Sequence, residues 1–195
     1  MYKYIGIGLL GLFAMTVIPF QETIVGTEYA TYGIGAFVVH DAYGNEVMRH
    51  AIHNFVVDQG ETFINNQVFV DGVGPTTTNE IGAICINGDV TAAEDMTAAT
   101  LDAGTATINT ATRCHNVVFT TAGGSTQSAA EQFDTTDTGG AGKTITSIGV
   151  CQKSGTAEFQ NCVDGAARVL LASVAVSVTL EAGETVDIDY TFNIT

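Results

Sequence analysis

The sequence predicts an all-β chain: an antiparallel β-sandwich of jelly-roll or Greek-key type, with one or two short helices and an N-terminal hydrophobic segment. Three observations lead there. From Lys143 to Thr195 the segments ITSIGVC, ARVLLASVAVSVTL and ETVDIDYTFNIT follow one another with only turn-like residues between them. In the last segment Val186, Ile188 and Tyr190 alternate with Asp187 and Asp189, the period of two that gives a strand one buried and one wet face. Gly, Thr, Ala and Val fill much of the remainder, a composition of strands and turns. An apolar sheet face needs a second layer to cover it, so one such sheet implies another.

Along the chain, the first unit is residues 1–26, read as a signal peptide or hydrophobic anchor. Lys3 is its one basic residue, and Tyr4–Phe20 is an uncharged run of 17 residues. At ~1.5 Å rise per residue a helix of that length only just spans a bilayer core. Two readings compete: the N-terminal position and single charge fit a secretory signal, and the length and lack of a small-x-small cleavage site fit a retained anchor. Residues 27–195 are read as a single β-sandwich domain. Tyr32–His40 is its first strand, Asp41–Asn45 a turn in which Gly44 and Asn45 tolerate positive φ, and Glu46–Val57 the return strand of a hairpin. Gly60–Val70 places Phe63, Ile64, Gln67 and Val68 at helical spacing, with Asp58 as N-cap. Glu80–Asn87 is an apolar strand. Thr91–Leu101 is a short helix or an ordered loop, Thr105–Ala111 and Val117–Thr121 are strands, and Gly123–Gly142 is exposed loop. In Arg168–Leu180 the apolar phase changes at Ser173, which predicts a β-bulge or a strand crossing between sheets.

Charge narrows the function classes. Lys and Arg total 6 against 21 Asp and Glu, a formal charge of −15, so phosphate backbones are repelled and nucleic acid is not an expected partner. The cysteines, Cys85, Cys114, Cys151 and Cys162, form an even set without a CxxC pair. In an oxidising compartment they predict two disulfides. Cys151 and Cys162 flank the polar loop QKSGTAEFQN, so their pairing would clamp a hairpin and leave Cys85 with Cys114. This is one of three connectivities, and four buried free thiols are the contrasting reading.

Motifs for chemistry fail on physical grounds. Asp137–Thr144 ends like a phosphate-binding loop in Gly142-Lys143-Thr144, but Asp137 stands where glycine is required and a strand, not a helix, follows. His50 and His53 are three apart, so on a strand their rings point to opposite faces. His115 adjoins Cys114, whose thiolate a disulfide would consume. No nucleophile elbow is present, since Gly123-Gly124-Ser125-Thr126 lacks the pattern. No cofactor or catalytic residue is therefore expected. Calcium is the one ion the loops could hold, at Asn87-Gly88-Asp89 with Glu94-Asp95, or at Asp134 with Asp137, though neither follows an EF-hand. Asn193-Ile194-Thr195 is a glycosylation sequon.

Thr144–Thr195 with Glu80–Ile86 resembles the C-terminal half of tailed-phage and prophage structural β-proteins. The carriers are TITSIGVC, LLASVAVSVTLEAGET and DYTFNIT, with EIGAICING upstream. A looser similarity is to secreted β-sandwich subunits of archaeal bundling pili and biofilm fibres. The resemblance implies a structural protein without catalysis. The leader and cysteines point to an extracellular surface filament or pilus, a homo-polymer assembled by strand addition, touching membrane only through the N-terminal segment. Tyr32, Ile34, Ala36 and Val38 form the expected assembly strand. The alternatives are a virion tail or appendage protein of an archaeal or bacterial virus, and a monomeric surface adhesin or binding module.

Overall fold

The computed structural model describes residues 31–69, 80–90, 92–93, 95–98, 101, 108, 112–122, 125–153 and 169–194. Its strands are β1 (Thr31–His40), β2 (Glu46–Val56), β3 (Ile81–Asn87), β4 (Cys114–Asn116), β5 (Phe119–Ala122), β6 (Ser125–Ser128), β7 (Glu131–Asp134), β8 (Lys143–Gln152), β9 (Leu170–Leu180) and β10 (Thr185–Ile194). A helix, α1 (Asp58–Phe69), follows β2. Every strand pairing is antiparallel, and the strands form two sheets. One sheet carries β2, β1, β10, β6 and β5, with β7 also on β10; the other carries β4, β3, β8 and β9. β2 joins them, pairing with β1 over most of its length and with β9 through Phe55↔Ser173 and Val56↔Ala172.

Local chemistry accounts for the elements. The β1–β2 turn is held by the Asp41 carboxylate, which accepts from the Tyr43 N–H at 2.9 Å and the Asn45 N–H at 2.8 Å. Gly44 sits at φ 82°, a conformation that penalises any side chain. In α1 the Glu61 N–H donates to the Val57 carbonyl at 3.0 Å, so Val57 caps the helix and Asp58 lies inside it. Asp58 and Glu61 there complement the positive end of the helix. α1 lies against β9 so closely that a Cβ at Gly60 would land on the Leu171 carbonyl. Gln59 ties the helix down: its side-chain oxygen accepts from the Leu170 N–H at 3.0 Å and the Ala98 N–H at 3.2 Å.

The core draws on both sheets. Val186, Ile188 and Tyr190 are buried with Phe37, Ile84, Ile148, Val174 and Phe133 in one cluster. Asp187 and Asp189 stay half-exposed, as alternation demands. Asp187 bridges strands on the wet face, 3.1 Å from His40 Nε2 on β1 and accepting from Gln132 Nε2 on β7 at 2.9 Å. Along β9 the register shifts opposite Ile145/Ser147 and opposite Val150/Cys151, one irregularity on either side of Ser173. Gly123–Gly142 is not all loop. Ser125–Ser128 and Glu131–Asp134 pair with β10, and only Ser128 and Phe133 among them are buried, so these polar strands carry no apolar alternation. Tyr4–Phe20 lies outside the described residues, as do Glu94 and most of Thr105–Ala111. Among the described residues no helix is long and apolar enough to cross a membrane.

Candidate functional site

Two places gather what chemistry the fold offers: a buried histidine between carboxylates, and a cleft where the two sheets part. The histidine is His115 on β4. Its strand is fixed to β3 by the Cys85–Cys114 disulfide, between residues directly opposite in register with Cα atoms 4.0 Å apart. His115 Nδ1 lies 2.9 Å from Glu131 Oε1 on β7, and Nε2 lies 3.3 Å from Asp137 Oδ1 in the following turn. The ring stacks on Phe133, centroids 4.2 Å apart. Asp137 is set by its own turn, where its carboxylate accepts from the Asp134 N–H at 2.9 Å while Asp134 accepts from the Thr136 N–H at 2.6 Å.

Both ring nitrogens thus face groups that only accept, so the imidazolium is the form that satisfies them. Burial alone pulls the His115 pKa down, but the hydrogen bonds and charges of Asp137 and Glu131 outweigh it and the net displacement is upward. Burial likewise pushes Asp137 up, and its bond to His115 and to the Asp134 amide brings it below the usual carboxylate value. A ring gripped at both nitrogens has no lone pair to accept a proton. Chemically the cluster is a clamp between β4 of one sheet and β7 of the other.

The cleft begins where β2 leaves β9. One bond between them runs from the Val57 N–H to the Leu171 carbonyl at 3.2 Å. Beyond Phe55↔Ser173, among the described residues, β2 pairs with β1 alone and β9 with β8 alone. A cleft of about 310 Å³ opens there, lined by Met48, His50 and Ile52 of β2, Ala175, Val176 and Ser177 of β9, and Phe37 of β1. His50 stacks on Phe37 with centroids 5.5 Å apart. A second, apolar cleft of about 230 Å³ lies between α1 and β10, bordered by Phe63, Phe119 and Phe192.

The structure distributes the other sequence-derived candidates. Tyr32, Ile34, Ala36 and Val38 lie on β1, which is bonded to β2 on one side and β10 on the other. β1 therefore has no free edge in its own chain, and the open edges lie elsewhere. Cys151 is disulfide-bonded, and Cys162 lies outside the described residues. Lys143 opens β8, so the Gly142-Lys143-Thr144 stretch leads into a strand. Asn87 is buried and its side-chain oxygen accepts from the Asp89 N–H at 2.7 Å and the Val90 N–H at 3.1 Å, a turn-forming role. Among the described residues no group of three His, Cys, Asp or Glu side chains is placed to hold a metal ion. Asn193 is half-buried on β10 between β1 and β6.

Sequence reasoning missed the clamp. Glu131 and Asp137 stand 16 and 22 positions from His115, and no local spacing links them. No family model matches the chain, nor does any curated protein or solved structure.

Proposed function

We propose that this chain is a non-enzymatic structural subunit of an extracellular surface filament or pilus, a homo-polymer joined by β-strand addition, with its two sheets stacked as a sandwich of jelly-roll or Greek-key type. The observation that carries the reading is the sheet edge left, among the described residues, without an intrachain strand, on the outer side of β5 and along both walls of the β2–β9 cleft. Unpaired N–H and C=O groups in a row are a template for another chain. Val118, 72% exposed just before β5, adds an apolar side chain to that edge. Oxidised Cys85 and Cys114 suit a compartment outside the reducing cytoplasm. Sedimentation velocity over a wide concentration range tests the proposal. Growth from monomer to long polymers is expected, and a monomer at every concentration favours the adhesin reading.

One observation favours a virion tail or appendage protein. The two sequence stretches that resemble phage structural proteins are far apart in the chain, yet they fold as neighbours, β3 beside β8 and β8 beside β9. Electron microscopy of material from virus-producing cells distinguishes the two: labelling of virions supports the second reading, labelling of cell-attached fibres the first.

A further inference from the structure

We infer that the outer edge of β5 pairs with itself: it takes β5 of a second copy of this chain, antiparallel, with the two-fold axis at Thr120. The inference rests on the strand-addition reading and names one pair of strands that reading would join.

The phase of β5 decides which backbone groups are on offer. Phe119 stands opposite Ser128, and the Ala129 N–H donates to the Val118 carbonyl at 3.1 Å. Phe119↔Ser128 and Thr121↔Thr126 are therefore the pairs that exchange no backbone bonds, and side chains approach closely in such pairs. The Thr121 and Thr126 hydroxyls, 3.0 Å apart, fit that phase. The N–H and C=O groups of Phe119 and Thr121 thus point away from β6, to the side where no described strand lies beside β5.

Charge points to a copy of the same chain as the occupant. Exposed edges are ordinarily guarded by charged residues or proline. Asn116–Ala130 contains no Asp, Glu, Lys, Arg or Pro, in a chain of formal charge −15. Two such acidic chains can meet along this neutral stretch without setting like charges opposite each other. β7, which also pairs on one side only among the described residues, carries Glu131 and Asp134 and lacks that property.

The register follows from which groups are free. Centring on Thr120 bonds Phe119 to the partner's Thr121 and Thr121 to the partner's Phe119, so every outward group of both residues is satisfied. Centring on Phe119 would require Val117, whose N–H is already donated to the Gly82 carbonyl at 2.8 Å. Centring on Thr121 would set Phe119 opposite residue 123, past the end of β5 at Ala122. The Thr120 register also covers side chains. Val118, 72% exposed, comes to lie opposite the partner's Ala122. On the other face Phe119, half-buried beside Phe192 at the rim of the apolar cleft, gains the partner's Thr121 as its neighbour. A two-fold contact closes on itself, so this pair makes a dimer, and a filament adds a second contact between dimers.

Full-length chains carrying single cysteines test the register. Across the axis Thr120 faces the partner's Thr120 in a non-bonded pair, with Cα atoms ~4.5 Å apart, a separation a disulfide can span. Thr120→Cys is expected to form an interchain disulfide under mild oxidation. Ala122→Cys alone is expected not to, because the register holds the two copies of that residue ~13 Å apart along the strand; mixed with Val118→Cys chains, it is expected to crosslink. Thr121→Pro removes an outward N–H and no bond to β6. Combined with Thr120→Cys, it is expected to abolish the disulfide with circular dichroism unchanged. No Thr120→Cys disulfide, one that survives Thr121→Pro, or an equal yield from Ala122→Cys alone overturns the β5 pair. Sedimentation velocity of the wild type separates that failure from failure of the wider reading. Polymers without the Thr120→Cys disulfide leave strand addition standing at another edge, and a monomer at every concentration overturns both. Dimers that crosslink at Thr120→Cys but never grow support the pair and overturn the filament.

Discussion

Between Glu131 and Asp137 the His115 ring carries a charge whose contribution to folding depends on pH in a definite direction. Its pKa is raised from an ordinary 6.5, so the stabilisation is fully present below 6.5 and is lost as pH rises through the higher folded value. Asp137 is lowered from 3.8, so its contribution is present above 3.8 and is lost as pH falls through the lower folded value. The clamp is complete between those limits. Glu131→Gln removes one of the two charges facing the ring and should bring the alkaline loss to lower pH. An NMR titration of the imidazole checks this, and an unshifted midpoint would contradict it. Tyr190 differs in kind. Its hydroxyl is fully buried with no hydrogen-bond partner among the described residues, and burial raises its pKa well above the usual phenol value. An unsatisfied buried hydroxyl costs on the order of 1–3 kcal/mol. Tyr190→Phe is therefore expected to leave stability unchanged or increase it by about 1 kcal/mol in denaturant unfolding.

At the scale of the element, β5 shows how edge and ladder separate. The Ala129 N–H donates to the Val118 carbonyl at 3.1 Å, and with Phe119↔Ser128 in register this places the bonded pairs at Thr120↔Gln127 and Ala122↔Ser125. The backbone groups of Phe119 and Thr121 then point outward. Thr121→Pro should cost little stability, whereas Thr120→Pro removes a ladder bond and should cost on the order of 1–3 kcal/mol in thermal unfolding. Long elements were legible in the sequence because their patterns are long. Alternation in β10 marked which residues are buried, and the Asp41–Asn45 turn marked the β1–β2 hairpin. α1 begins at Asp58 rather than Gly60 because the Val57 carbonyl starts its hydrogen bonding. β6 and β7 were illegible: STQS and EQFD are strands because β10 offers them an edge, and their own side chains say nothing of it. His115, Glu131 and Asp137 meet only through tertiary folding, so no spacing could reveal them.

For the whole molecule, what matters is where the sheets close and where they do not. Its place directly after the leader made β1 the expected assembly strand; in the structure a five-residue turn joins it to β2 and a ladder along its full length bonds it to β10. The disulfide and the His115 clamp hold β4 near the other sheet at one end, and β2 bridges the two sheets through its final residues. Among the described residues the outer side of β5 and the walls of the β2–β9 cleft are left without a paired strand. Electron microscopy of the purified native assembly, to a resolution at which strands separate, tests this account most directly. It predicts fibres in which a strand of one subunit is hydrogen bonded within the sheet of the next. Fibres whose subunits touch only through side chains, or a preparation of single subunits, would contradict it.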